Sequence, residues 1–275
     1  MKVRPAYILI LLLLLGSAWE LYQTALPLTA ERTAAVMGTT VRIKIKGAGA
    51  PHWTSRAIWE MQRLDRSFNR FDPRSEVSLL NRLGSKARLQ LSPDLTAVLK
   101  IAEEVRLASA GAFNIRFNNS ALDLGGIGKG YAVEAARRLL LKKGVKSAII
   151  DLHSSIAVIG DGWRVGIRDP RIDKDGREKQ GVAGIVILND GDALATSGQY
   201  EQPGHIVDPR TGRPADRCLS VTVVAKDAAL ADALSTAVFV LGPVDGRKLL
   251  ARFGARSFII GRNGKIYDNL SVKLR

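Results

Sequence analysis

A strand and an apolar helix follow one another directly in residues 219–242, LSVTVVAKDAALADALSTAVFVLG. Residues 219–225 form a strand-like run rich in β-branched side chains. Residues from Asp227 to Leu241 predict a helix closed by Gly242, and that helix is apolar enough to be largely buried. The stretch therefore indicates a fold in which helices pack on β-sheets.

Both periodicities recur along the rest of the chain, without a strict strand-helix-strand alternation. Val41, Ile43 and Ile45 alternate with charged residues, which predicts a half-buried strand. Further predicted helices and strands are the helix carrying Trp53, Ala57, Met61, Leu64, Phe68 and Phe71, the helices 92–111 and 131–143, the strands 145–151, 163–168 and 182–188, and a hairpin at Asn263-Gly264. We therefore predict an α+β fold with mixed β-sheets flanked by helices, in a single compact domain whose division into two lobes stays open.

Composition places the chain among ordinary globular proteins. Its 275 residues are 46% hydrophobic and 24% charged, which excludes disordered, collagen-like and coiled-coil classes. The 41 Lys and Arg outnumber the 26 Asp and Glu, and the net charge of +15 favours anionic partners or membrane surfaces. Cys218 is the single cysteine, so an intramolecular disulfide and a CxxC zinc site are excluded.

The amino terminus has the order of a secretory signal. Lys2 and Arg4 precede an unbroken apolar run over residues 6–15, and small residues follow at 16–18. We expect residues 1–18 to be a signal peptide or membrane anchor, residues 19–34 a tether, and residues 35–275 the folded domain. The expected location is periplasmic or otherwise extracytoplasmic, with the inner membrane as the site of any anchor.

Four glycines and a lysine precede the helix predicted at Tyr131, in the segment 123–131, DLGGIGKGY. Glycines let backbone amides approach an anion closely, and a helix N-terminus adds partial positive charge there. The spacing fits neither a Walker loop nor a dinucleotide fingerprint. Phosphate binding is the favoured interpretation, and a plain tight turn is the alternative.

Asp232 and Thr236 lie four residues apart in the apolar helix, which stacks their oxygens on one face. An aspartate in an apolar helix needs a compensating charge, and an oxygen-ligated Mg²⁺ that bridges phosphates would supply it. The alternative is structural: Asp232 pairs with an arginine and Thr236 bonds its own i−4 carbonyl. The residues alone leave both interpretations open.

His205 begins a polar segment, HIVDPRTGRP, that follows the residues Thr196-Ser197-Gly198. A histidine beside such a turn is a candidate general acid or base, although a surface histidine without a catalytic role is the commoner case. Ser197 lacks the Gly-x-Ser-x-Gly elbow, which argues against a hydrolase nucleophile.

Taken together, these motifs resemble the ApbE family of periplasmic FAD:protein FMN transferases. The resemblance runs in the family's order over about two hundred residues, through 37–39, 123–131, 163–170, 196–198, 205–212, 231–232 and Thr236. It implies an enzyme that cleaves FAD at its pyrophosphate, transfers FMN through a phosphoester to a Thr or Ser of a target flavoprotein and releases AMP. It also implies a requirement for Mg²⁺, with FAD as substrate.

The resemblance assigns roles to particular positions. It makes Asp232 and Thr236 side-chain ligands of magnesium, with the carbonyl of Gly126 as a further ligand. His205, Lys129 and Asp232 become the catalytic residues. The FAD site implied by the resemblance is lined by Met37, Phe71, Ala112, Phe113, Asn114, Asp123, Lys129 and Ile206.

Two departures from the family pattern bear on activity. Where the family usually has Gly-x-Phe-Asp-Pro-Thr, residues 111–116 read GAFNIR, so Asn114 replaces a carboxylate and Arg116 adds a cation. Where the family has paired glycines after a strand, this chain has Ser154-Ser155-Ile156. We expect an active transferase, because the implied metal ligands and His205 are retained.

Two other functions stay open at this point. One is an Mg²⁺-dependent FAD pyrophosphatase that uses the same site, and the other is a non-catalytic FAD-binding protein. Nucleic acid is not an expected partner, since only 6% of residues are aromatic and no basic-aromatic interleaving occurs. The resemblance implies an acceptor flavoprotein, such as a membrane-associated redox subunit, as the protein partner.

Overall fold

A computed structural model describes residues 16–17, 29–84, 90–117, 121–171, 181–198 and 204–274. The predicted signal or anchor segment 1–18 lies outside the described residues, apart from Gly16 and Ser17. A search of the described part of the chain for a helix of membrane-spanning length and hydropathy finds none.

Six helices occur in the described ranges: α1 (Ala50–Phe68), α2 (Glu76–Leu83), α3 (Pro93–Ala108), α4 (Gly128–Lys142), α5 (Ala228–Leu241) and α6 (Pro243–Arg252). The longer strands are β1 (Thr29–Val36), β2 (Thr39–Lys46), β5 (Ser147–Leu152), β6 (Ser155–Ile159), β7 (Trp163–Arg168), β8 (Val182–Leu188), β9 (Ala193–Gly198), β12 (Cys218–Ala225) and β13 (Arg256–Gly261). The short strands are β3 (Arg116–Phe117), β4 (Ala121–Leu122), β10 (Val207–Asp208), β11 (Arg213–Pro214), β14 (Ile266–Asp268) and β15 (Lys273–Leu274).

An eight-stranded sheet with the order β1-β2-β5-β6-β9-β12-β13-β14 forms the centre of the molecule. The α+β class is thus confirmed, but the expected mixture of strand directions is wrong, because every pairing between described strands is antiparallel. The physical reason lies in the connections. Tight turns join β1 to β2 and β5 to β6, and two consecutive helices, α5 and α6, join β12 to β13, whereas parallel neighbours usually need a single crossover helix.

The two faces of this sheet bury two separate hydrophobic cores. Alternate residues of β6 show the division: Ala157 and Ile159 join the core beneath the helices, while Ile156 and Val158 join the core shared with β7 and β8. The helices therefore cover one face of the large sheet, and the three-stranded sheet β15-β8-β7 covers the other.

Most predicted elements are found, several at their predicted bounds. Strands 163–168 and 182–188 are confirmed as predicted, and Ser92 caps α3 by accepting a hydrogen bond from the N–H of Leu95 at 3.1 Å. The prediction that Phe71 lies on the helix with Trp53 is wrong, because α1 ends at Phe68 and the Phe71 side chain is 77% exposed.

The tether expected over residues 19–34 is also wrong in its last part. Residues 29–34 belong to β1, which pairs along its whole length with β2 and places the start of the folded domain at Thr29 within the described chain. β1 is an edge strand whose side chains are mostly exposed, so it lacks the alternation of apolar residues that identified β2. The rest of the predicted tether, residues 19–28, lies outside the described residues.

Candidate functional site

The site is built where the first turn of α4 meets α5. A Cβ added to Gly130 would lie 2.2 Å from the backbone oxygen of Ala228 and 2.6 Å from Cβ of Asp232. Only glycine permits that approach. α4 begins at Gly128, three residues earlier than predicted, so Lys129 and Gly130 lie in the first helical turn rather than in the loop before it.

Asp232 is held at the N-terminus of α4. Its Oδ2 accepts a hydrogen bond from the N–H of Gly130 at 2.9 Å, and the residue is only 4% exposed. Burial raises the pKa of the Asp232 carboxyl, while the nearby charge of Lys129 and the Gly130 hydrogen bond act to lower the pKa. The α4 terminus thus offers a partial positive charge to a carboxylate from another helix.

Thr236 lies one turn further along α5, beside the glycine loop. A Cβ at Gly126 would lie 3.3 Å from Thr236 Oγ1 and 3.2 Å from the ring of Phe113, so both side chains pack closely against the loop backbone. Thr236 Oγ1 is also 3.2 Å from Ser197 Oγ, and Ser197 Oγ is 2.7 Å from Ser235 Oγ. The structure thereby brings Gly126, Asp232 and Thr236 to one place.

The structural alternative for the Asp232 and Thr236 pair is not what the described residues show. None of the salt bridges between described residues involves Asp232. The hydroxyl of Thr236 forms a hydrogen bond with the hydroxyl of Ser197. Ser235, not Thr236, donates back along the helix, to the carbonyl of Asp232 at 2.8 Å. A buried carboxylate, a hydroxyl and a glycine carbonyl form an oxygen donor set that suits a hard cation such as Mg²⁺.

No group of three or more His, Cys, Asp and Glu side chains gathers at a common point among the described residues. Any cation at Asp232 would therefore be held by at most two such side chains of the described residues and take its other oxygens from hydroxyl, carbonyl, water or phosphate groups. Mg²⁺ is commonly bound in this way, through one or two carboxylates and substrate phosphates. The residues present fit that ion.

Asp123 lies at the opposite end of the glycine loop and is tied to Phe71 through an arginine. Asp123 Oδ1 accepts a hydrogen bond from Gly125 at 2.9 Å, and Asp123 Oδ2 lies 3.3 Å from Nε of Arg70. The Arg70 guanidinium stands 4.3 Å from the centre of the exposed Phe71 ring. Two of the predicted FAD-site residues thus share one neighbouring cation.

Ala112, Phe113 and Ile206 are buried together in the core beneath the helices. His205, the residue before Ile206, is exposed. The segment 204–214 approaches residues 111–114, because Cγ of Arg210 lies 3.7 Å from the Cβ that Gly111 would carry. The structure therefore places His205 on an exposed segment beside residues 111–114.

Met37 sits in the turn between β1 and β2 with a φ of 50°, followed by Gly38 with a φ of 72°. A non-glycine residue rarely adopts this conformation. The N–H of Met37 donates to Asp65 Oδ2 on α1 at 2.8 Å, and this bond helps to hold the turn.

The first departure from the family pattern lines a cleft of about 430 Å³ beside α3. Asn114 and Arg116 contribute to this space of about 430 Å³ together with Leu99, Glu103 and Arg106. The Asn114 side chain accepts a hydrogen bond from the N–H of Arg116 at 3.0 Å. The positive charge of Arg116 contributes to lowering the pKa of Glu103, after the larger effect of Arg106. The added cation therefore faces an acidic neighbour.

A buried ion pair fixes α4 against the start of α5, and sequence reasoning missed it. Glu134 Oε2 lies 2.7 Å from Nη2 of Arg137 and accepts a hydrogen bond from the N–H of Ala228 at 3.1 Å. Asp227 completes the cap by accepting from Ala229 and Leu230. Burial raises the pKa of the Glu134 carboxyl. Glu134 and Arg137 lie three residues apart on α4, but Ala228 lies 94 residues further along the chain than Glu134, so no local pattern reveals this contact with α5.

The family model described as the ApbE family matches residues 37–121 and 116–259, a span that includes every site residue discussed above. The chain is similar to the FAD:protein FMN transferase of Rhodobacter capsulatus, with 36% identity over 176 residues, covering 58% of this chain and 32% of that protein. It is also similar to the FAD:protein FMN transferase of Escherichia coli strain K12, with 31% identity over 157 residues, covering 52% of this chain and 43% of that protein. The matches thus span less than half the length of these curated relatives.

Two solved structures share the fold over most of their length. The ApbE protein of Thermotoga maritima is similar with a TM-score of 0.77 and 26% identity, covering 87% of this chain and 96% of that one. The apo form of the flavinyl transferase ApbE of Pseudomonas stutzeri is similar with a TM-score of 0.75 and 25% identity, covering 86% of this chain and 92% of that one.

Proposed function

Because this chain belongs to the ApbE family, we propose that it is a magnesium-dependent FAD:protein FMN transferase. The proposed reaction attaches FMN by a phosphoester bond to a Thr or Ser of a target flavoprotein and releases AMP. Relatives in Rhodobacter capsulatus and Escherichia coli carry the name of this activity.

The observation that carries the proposal is the hydrogen bond between Gly130 and Asp232. It joins a glycine-rich helix N-terminus, which suits phosphate oxygens, to the buried Asp232 and Thr236 pair, which suits a cation. A pyrophosphate bound to both would lie between a fixed positive end and a divalent ion.

Each residue has a defined part in the proposed chemistry. Magnesium, held by Asp232, Thr236 and the carbonyl of Gly126, would supply positive charge that offsets the charge developing on the pyrophosphate oxygens. Lys129, whose charge acts on Asp232, adds a fixed cation at the same helix terminus.

The transfer itself exchanges one phosphorus–oxygen bond for another. The acceptor hydroxyl oxygen bonds to the FMN-side phosphorus of FAD, the bond from that phosphorus to the bridging oxygen breaks, and AMP leaves with the electron pair. The exposed His205 takes the proton of the acceptor hydroxyl. Exposure of His205 suits this part, because the acceptor is a protein that arrives from solvent.

For the FAD site we retain the residues that the family resemblance implies, namely Met37, Phe71, Ala112, Phe113, Asn114, Asp123, Lys129 and Ile206. The contacts of Arg70 with Phe71 and Asp123 support a shared surface on one side of the glycine loop. Burial of Phe113 and Ile206 in one core supports a rigid wall on the other side.

We also propose that the protein works outside the cytoplasm, exported or anchored at the inner membrane by residues 1–18. The order of charged, apolar and small residues in that segment supports this location. The matching acceptor is a membrane-associated redox subunit that carries FMN on a Thr or Ser.

The experiment that tests the function incubates the purified full-length chain with FAD and MgCl₂ and follows AMP and FMN by HPLC. The transferase predicts AMP release that depends on Mg²⁺ and falls by at least about 10³-fold in Asp232→Ala, a loss of about 4 kcal/mol of transition-state stabilisation. FAD binding without AMP release, with or without an acceptor peptide, would leave only the non-catalytic alternative.

A further inference from the structure

Ser155 lies on the face of the large sheet that points at α5. In β6 it shares its face with Ala157 and Ile159, which belong to the core beneath the helices. Its backbone partner across β9 is Ala195, which belongs to the same core. The side chain is fully buried, with 0% of its surface exposed.

The hydroxyl of Ser155 has no hydrogen-bond partner within the described part of the chain. Leaving a buried hydroxyl unpaired costs about 1 to 3 kcal/mol, so such a group calls for an explanation. Ser155 is nevertheless close to the Asp232 cluster, because its partner Ala195 is two residues from Ser197, whose hydroxyl lies 2.7 Å from Ser235 Oγ and 3.2 Å from Thr236 Oγ1 on α5. The hydroxyl of Ser155 also acts to lower the pKa of the Asp232 carboxyl. A donor next to a carboxylate is therefore present but not fully engaged.

We propose that Ser155 is a positioning residue for the cation site, whose hydroxyl donates a hydrogen bond to the carboxylate of Asp232 when the divalent ion is bound. The inference rests on the proposed function, because it assumes that Asp232 holds a divalent cation. With Gly130 already donating to Asp232 Oδ2, a second donor fixes the rotation of the carboxylate and leaves its remaining lone pairs for the ion.

This role accounts for a serine at a place where the family resemblance implies a glycine pair. A glycine would leave the Asp232 carboxylate without this donor. The unpaired hydroxyl lowers the stability of the metal-free protein. Its hydrogen bond to Asp232 offsets this loss only when the ion is bound. Partners of metal ligands of this kind commonly change metal affinity by about 10- to 100-fold when they are removed.

Ser155→Ala tests the proposal, with Ser220→Ala as the matched control. Ser220 is 1% exposed in the same sheet, but it pairs with Ile260 and lies on the opposite face, away from α5. Both variants remove one hydroxyl from a buried serine, and only one of them lies beside Asp232.

The measurement is the dissociation constant for Mn²⁺, followed by EPR on the full-length chain, together with the thermal midpoint without metal. We expect Ser155→Ala to bind Mn²⁺ at least about tenfold more weakly than the wild type, with a metal-free midpoint no more than about 2 °C lower. Ser220→Ala should bind as the wild type does. A metal-free midpoint that falls further in Ser155→Ala, or an unchanged affinity, overturns the inference, because the serine would then be structural or irrelevant to the site.

Wild-type binding separates this inference from the proposed function. If the wild type binds no Mn²⁺, or if Asp232→Ala binds it equally well, the cation site itself is contradicted. If the wild type binds Mn²⁺ through Asp232 and Ser155→Ala binds with the same affinity, only the role of Ser155 fails.

Discussion

The N–H of Gly130 donates to Oδ2 of Asp232 at 2.9 Å, across 102 residues of chain. This bond links the first turn of α4 to the middle of α5, and it places a buried carboxylate at the positive end of a helix. The glycine loop and the aspartate-threonine pair therefore lie together, although they are far apart in sequence.

The first prediction concerns the close approach of α4 to α5. Gly130→Ala should lower the free energy of unfolding by about 1 to 3 kcal/mol or more, because its methyl group would overlap the backbone oxygen of Ala228. Gly128→Ala is the control, since a Cβ there meets only Leu124 at an ordinary 3.5 Å. Urea denaturation of both variants provides the comparison, and equal stabilities would refute the steric argument.

The second prediction concerns removal of the Asp232 charge. Asp232→Asn should leave the metal-free protein as stable as the wild type or more so, because burial disfavours the ionised carboxyl. MgCl₂ at about 100 times its dissociation constant should stabilise the wild type by about 2.7 kcal/mol and should not stabilise the variant. Thermal unfolding with MgCl₂ and with EDTA measures both effects, and an equal magnesium shift in the variant would contradict the assignment.

The third prediction concerns the ion pair beneath the site. Arg137→Met should destabilise the fold by about 3 to 5 kcal/mol, because it leaves the Glu134 carboxylate buried without its partner. Arg138→Met should cost less than about 1 kcal/mol, since Arg138 is 45% exposed and lies 3.3 Å from the same carboxylate. Chemical denaturation measures the free energy of unfolding of both variants. Similar losses would mean that the buried pair contributes no more to stability than the exposed one.

The fourth prediction concerns Cys218. Burial raises the pKa of its thiol to about 12, so at pH 8 only about one molecule in 10⁴ carries the reactive thiolate. The native protein should therefore resist a thiol reagent such as DTNB, and the denatured protein should react rapidly. Rapid reaction in the native state would show that this part of β12 opens readily.

Local patterns predicted much of this architecture. The helix at 228–241 was identifiable because eleven of its fourteen residues are apolar, and the stacking of Asp232 over Thr236 follows from helical geometry alone. Strands 163–168 and 182–188 are each preceded by a glycine and followed by a polar residue, Asp169 or Asn189. The family resemblance supplied what spacing alone left open, namely the reaction and the proposed roles of these residues.

The features that were missed depend on distant partners. β1 carries little apolar alternation, and its strand form comes from pairing with β2. Ser155 and Ser197 look like ordinary serines until the sheet places them beneath α5, and the hydrogen bond from the N–H of Ala228 to Glu134 becomes visible only when α4 meets the start of α5. The prediction of mixed strand directions was wrong for a related reason. Whether two neighbouring strands run parallel or antiparallel depends on how the helices between them return the chain to the sheet.

The ratio of AMP released to FMN bound covalently by an acceptor decides whether this site transfers FMN to a protein. The full-length chain, FAD, MgCl₂ and an acceptor peptide with a target threonine are required, with Asp232→Ala as the control. Transfer predicts one AMP for each flavin bound to the acceptor, and neither product with the variant. AMP matched by free FMN, with no flavin on the acceptor, would contradict transfer and establish a pyrophosphatase.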